Sequence, residues 1–99
     1  MECKRGSGEV TLEVEKKIEE CIEELSRYKY FSSEAQTAIE TFEELKNQVR
    51  NLTRENIDDV IRGVEEYYRR SLSYSGFIPK TVENLKFIKE WLEKKKQEL

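Results

Sequence analysis

The side chains best equipped for chemistry are three adjacent carboxylate pairs, Glu19–Glu20, Glu23–Glu24 and Glu43–Glu44, and two thiols, Cys3 and Cys21. Paired carboxylates act as general acid and base when burial or a like charge drives their pKa values apart. A thiol becomes a nucleophile when a neighbouring cation or base favours the thiolate. The pattern supplies neither condition. The carboxylate pairs fall mainly on the polar faces of helical stretches, where solvated surface is the simpler reading. The chain has no histidine, which removes Cys–His and Ser–His nucleophile pairs and the Glu-x-x-His ligands of di-iron bundles. Two cysteines without further ligands do not make a zinc site. No glycine-rich phosphate loop is present. The expectation is a non-catalytic protein without a cofactor.

The elements that must position these groups are helices. The chain has 99 residues, of which 39% are charged and 36% hydrophobic, with a single proline. That suits long amphipathic helices and one modest core, and it argues against a sandwich or barrel with many turns. Apolar or small residues recur at Val14, Ile18, Cys21, Ile22, Leu25 and Tyr28, predicting a helix over about 10–29. Ala35, Ala38, Phe42, Leu45, Val49 and Leu52 predict a second, about 33–51. A third, about 54–74, carries Ile57, Val60, Ile61, Val64, Tyr67, Tyr68, Ser71 and Leu72, with Ile57, Ile61, Val64 and Tyr68 at its centre. The fourth, about 80–97, carries Val82, Leu85, Ile88 and Leu92. Each is a stripe of helical period. Ser33 with Gln36 reads as a capping box, Thr53 as the third cap, Gly76 as a left-handed C-terminal cap and Pro79 as a first-turn residue. Short links at 30–32 and 51–53 imply antiparallel neighbours. The fold expected is an all-α antiparallel four-helix bundle: a flexible tail over 1–9, containing Cys3, and one domain over 10–99. Cys21 reads as a core residue.

Net charge is −3, so no global basic field draws the protein to nucleic acid or anionic lipid. With no long apolar run, a cytoplasmic protein without membrane partners is expected. Composition rich in Glu and Lys and poor in labile amides points to an archaeal or thermophilic source. Arg69 and Arg70 beside aromatics, with Lys94, Lys95 and Lys96, form the alternative of a nucleic-acid contact. Yet Asp58–Arg62, Glu65–Arg69 and Glu66–Arg70 are carboxylate-to-arginine pairs at i, i+4, the orientation that favours helix ion pairs. A charge-paired outer face is the preferred account of those arginines.

The last two helices carry more apolar surface than one core can cover. Phe87 and Trp91 lie far around the fourth helix from Leu85, while Val60, Gly63, Tyr67 and Tyr74 run along one flank of the third. Gly63 in a helix interior costs about 1 kcal/mol against Ala, which suggests a close neighbour at that position. These six residues are the expected interface of a protein–protein interaction module, with homo-oligomerisation the default. The plainer reading has Phe87 and Trp91 covering the bundle end around Phe31 and Phe77. The run Tyr67-Tyr68, Ser71, Tyr74, Gly76, Leu85, Phe87 and Trp91-Leu92 resembles the C-terminal half of an archaeal helical family known as domain of unknown function 357. It departs from that family at Ile88, Glu90, Glu93 and Lys94. The resemblance implies a small helical archaeal protein and carries no activity with it.

Overall fold

Four helices make up the computed structural model, which describes residues 2–99, with side chains described from residue 12 onward. They are α1 (Glu2–Ser26), α2 (Ser33–Arg50), α3 (Ile57–Leu72) and α4 (Pro79–Glu98). The expected all-α bundle is what forms. Helix α1 starts well before residue 10, so residues 2–9 of the expected tail over 1–9 form its first turns; the side chains there, Cys3 included, lie outside the described residues.

The helices begin where side chains can meet unpaired amides. At α2 the cap is Ser32, one residue before the expected Ser33, and its Oγ accepts the Ala35 amide at 3.2 Å. Gln36 turns away and donates to the Lys29 carbonyl at 2.9 Å. Before α3, Thr53 and Asn56 cap each other's amides: Asn56 N–H donates to Thr53 Oγ1 at 3.2 Å, and Thr53 N–H to Asn56 Oδ1 at 2.8 Å. This reciprocal pair is a capping box with Asn in the usual Glu position. Pro79 opens α4, as its fixed φ favours. Helix α4 has no capping side chain of its own; Glu24 of α1 supplies one, its carboxylate accepting the Lys80 and Thr81 amides at 3.2 and 2.7 Å. Gly76 departs from expectation. No described glycine has positive φ, so α3 ends by a run of right-handed turns over 73–77 and not by a left-handed cap.

Packing follows an unequal order. Helix α1 packs against both α2 and α4, and α3 packs against α4, while α2 and α3 approach less closely. The fully enclosed centre is the α1–α4 seam, where Val14, Ile18, Cys21, Leu85, Ile88 and Leu92 are almost completely buried. Phe42, Leu45 and Val49 add the α2 side, and Ile57, Val60 and Val64 the α3 side. The buried line of α3 runs through Val60, with Ile61 only half-buried, a rotation of the expected centre toward the flank. Leu72, expected in the core, is exposed; the helix ends there, and Ser71 takes the buried position instead.

Polar contacts tie the bundle between helices more than the i, i+4 spacing foretells. Glu66–Arg70 forms at 2.9 Å, but Asp58 pairs with Lys96 at 2.7 Å and Glu65 with Lys89 at 3.5 Å. Arg62 turns to Asp59 at 3.8 Å. Lysines of α4 come within reach of the α3 carboxylates and compete with the same-helix arginines. Glu15 is buried and accepts two hydrogen bonds from the Arg50 guanidinium, at 3.0 and 2.5 Å. Those bonds, opposed by burial, hold its carboxyl below its ordinary value of 4.5. A depressed folded-state pKa stabilises above the unfolded value, and that stabilisation is lost as pH falls through the folded one. Denaturant melts should therefore lose stability on acidification from 4.5 downward, and Arg50→Gln should flatten that portion of the profile. Parallel profiles for the two proteins would show that the pair adds nothing to the acid limb.

Candidate functional site

The six residues expected to form one interface are divided by the fold among three places. Val60, Gly63 and Tyr67 line an apolar groove of about 170 Å³ along the loosely closed α2–α3 seam. Its floor is Phe42, Leu45, Val60, Val64 and Leu85, and its rims carry Thr41, Glu44 and Gln48 on α2 and Asp59, Gly63 and Tyr67 on α3. Tyr67 closes one end. Its ring leans on Phe42, with centroids 6.0 Å apart, and its hydroxyl donates to Thr41 Oγ1 at 2.7 Å. Tyr74 lies beyond, past the end of α3, its hydroxyl donating to Glu34 at 3.0 Å; that bond pushes the phenol pKa upward.

Phe87 and Trp91 sit elsewhere. Both are half-buried against the core, with Lys17 of α1 5.4 Å from the centre of the Phe87 ring and Lys95 5.9 Å from that of Trp91. Each ring thus has one lysine ammonium within cation–π reach inside the monomer. They do not cover the bundle end around Phe31 and Phe77, both of which stay exposed; Tyr28 only ties the two loops there, edge-to-face with Phe77 at 6.4 Å and donating to its carbonyl at 3.0 Å.

Gly63 has no close neighbour within the monomer. A Cβ added there would meet nothing within 4 Å. The expected close neighbour is therefore not found within the monomer, and packing there gives no reason for a glycine in the helix interior. Gly63→Ala should raise monomer stability by about 1 kcal/mol, a Tm gain of roughly 4–8 °C in a domain this size, read by circular dichroism at low concentration. A fall in Tm would mean that the added methyl meets a neighbour in the monomer after all.

Two alternating hairpins bring the α1–α2 and α3–α4 loops to the same end of the bundle, as the Tyr28–Phe77 contact requires. Five large apolar side chains are exposed there: Tyr30 at 82%, Phe31 at 83%, Phe77 at 66%, Tyr74 at 47% and Leu72 at 46%. Reasoning from helical stripes names Leu72, Tyr74, Phe31 and Phe77 in different roles but does not gather them, because most lie between stripes. The signal available was the aromatic content of the two links themselves.

The basic residues of the nucleic-acid alternative are not brought together. Arg69 and Arg70 stand near the aromatic end, Arg70 on Glu66. Lys96 reaches Asp58 at the start of α3, eleven residues from Arg69 and so about 16 Å away along the helix. Lys95 pairs with Glu98 at 3.5 Å, and Lys94 shares that far end. Among the catalytic candidates, Cys21 is buried, and burial pushes its thiol pKa up to about 12, the opposite of an activated nucleophile. Glu20 and Glu24, expected on polar faces, turn toward α4: Glu20 accepts from Asn84 at 3.1 Å, and Glu24 caps the helix. No group of three or more His, Cys, Asp or Glu able to hold a metal lies among the described residues, and no helix there is long and apolar enough to cross a membrane.

Fold and surface together define an antiparallel four-helix protein with one open, glycine-notched seam and one aromatic end. Comparison of the chain with protein-family models, with curated proteins and with solved structures finds no match to any of them.

Proposed function

We propose that the protein is a non-catalytic helical interaction module that self-associates through the α3 face centred on Gly63. The single observation that carries this reading is a glycine in mid-helix, beside an apolar groove, with open space where its Cβ would be. Small residues of this kind let a second helix approach closely, and the second helix here comes from another copy. The charge order of α3 suits that occupant, with Asp58 and Asp59 in the first turn and Arg69 and Arg70 in the last. Two copies crossing antiparallel set Tyr67 of one over Gly63 of the other and bring Arg70 beside Asp59, twice by symmetry. Isologous contact of this kind is self-limiting. The resemblance of α3 and α4 to the archaeal helical family bears on fold rather than partner. The glutamate- and lysine-rich composition supports a cytoplasmic protein of an archaeal or thermophilic cell.

Sedimentation velocity over a concentration series tests the reading. Dimer should appear with rising concentration, vanish in Gly63→Leu with helicity intact, and persist in Trp91→Ala, which alters the other seam. Gly63→Ala should weaken the dimer while stabilising the monomer, a split that a purely structural glycine would not produce. A monomer at every concentration, or an undiminished Gly63→Leu dimer, would sink it.

A further inference from the structure

We infer that the aromatic end of the bundle is a docking surface for an acidic segment of another protein, separate from the α3 face. The two loops there are built like recognition loops. Ser73-Tyr74-Ser75-Gly76-Phe77 combines aromatic rings with small, adaptable residues, and Tyr30-Phe31 adds two more rings from the other loop. Tyrosine and phenylalanine supply contact area at little conformational cost, with Ser and Gly giving the freedom to fit. The rings are more exposed than a monomer's core logic explains, and they lie together on loops that Tyr28 and Phe77 lock to each other.

Charge selects the partner. Over 27–34 and 69–80 the chain has five cations, Arg27, Lys29, Arg69, Arg70 and Lys80, against the single carboxylate of Glu34, in a protein whose net charge is −3. Including the flanking Glu24 and Glu66, the five cations face three carboxylates: Glu66 is paired with Arg70, while Glu34 and Glu24 keep their charge and accept from Tyr74 and the α4 amides. Arg27, Arg69 and Lys80 form no ion pair among the described residues, and Lys29 lies over the Tyr30 ring at 5.2 Å. The result is a small cationic, aromatic cap on an acidic rod.

Its extent favours a short acidic polypeptide over a nucleic acid. A phosphate backbone needs a basic track, and Glu23 and Glu83 begin a carboxylate-rich belt about one turn below the cap. The Lys94–Lys96 cluster stands at the far end and cannot extend the track. An acidic segment with interspersed apolar residues meets both features, its carboxylates on the free cations and its apolar groups on Phe31 and Phe77.

Fluorescence anisotropy tests this with a labelled peptide of alternating Glu and Leu, a Lys-for-Glu counterpart, labelled oligothymidylate and vesicles containing phosphatidylserine. The Glu peptide should bind at least about tenfold tighter than the Lys peptide, roughly 1.4 kcal/mol, and weaken with added salt. Arg27→Glu/Lys80→Glu and, separately, Phe31→Ser/Phe77→Ser should each lose that binding while keeping the wild-type helical spectrum. Overturning results are equal binding of both peptides, retention in either double variant, preference for oligothymidylate or vesicles, or no binding at all. Both double variants should still dimerise, so failure here and failure of the α3 contact are read separately.

Discussion

Ile88→Ala is expected to cost about 2–5 kcal/mol, the largest effect foreseen for a single change in this chain. Ile88 is completely buried, with Leu85 and Leu92 one turn either side, on the seam where α4 meets α1. Deleting three of its carbons removes apolar contact and leaves a cavity that rigid neighbours fill only in part. The structure gives little room for relaxation, because Ile18 and Cys21 across the seam are themselves fully buried. Small domains hold only about 5–15 kcal/mol in all, so the variant should melt roughly ten degrees or more below the parent. Calorimetry or thermal circular dichroism measures this directly. A loss under about 1 kcal/mol would mean that the α1–α4 seam is not the centre of the core.

Glu24→Ala should cost about 1–2 kcal/mol, although Glu24 is only half-buried and resembles a surface glutamate. Its two carboxylate oxygens take the Lys80 and Thr81 amides, at the start of a helix whose own cap position is Ile78. Without them, two amides lose their acceptors, and a negative charge is lost from the positive end of the α4 dipole. Glu24→Gln keeps one acceptor oxygen and should fall between. Amide exchange at Thr81 should quicken in the Ala variant ahead of global unfolding. Unchanged exchange and an unchanged melting curve would show the contact to be incidental.

Glu24 also illustrates what a linear reading reaches. The stripes of Val14, Ile18, Cys21 and Leu25, and of Phe42, Leu45 and Val49, were legible because burial of one helix face is a local, periodic property. The N-terminal signals were legible to within a residue, Ser32 standing for Ser33 and Pro79 as read. A cap donated across 57 positions has no local signature, and neither does the choice of Lys96 over Arg62 as partner for Asp58. Periodicity assigns Leu72 to the core wrongly because it has no means of telling where a helix stops. At Gly63 it predicts a close neighbour, and none lies within 4 Å in the monomer. The aromatic end depended on which links share a side of the bundle, and that is a matter of topology.

The order of packing has a kinetic consequence. Helices α1 and α2, and α3 and α4, are sequence neighbours joined by short links, so each hairpin closes locally and at little entropic cost. The contact that unites them runs between the first and last helices, with partners such as Asn84 and the Lys17 carbonyl separated by 67 positions. Folding should therefore proceed as two quickly formed halves waiting on one long-range clasp, and the 51–56 link, spanning the least tightly packed seam, carries little of the binding between them. Cleaved in that link, the two halves have the complementary surfaces of a split protein, able to find each other along α1 and α4.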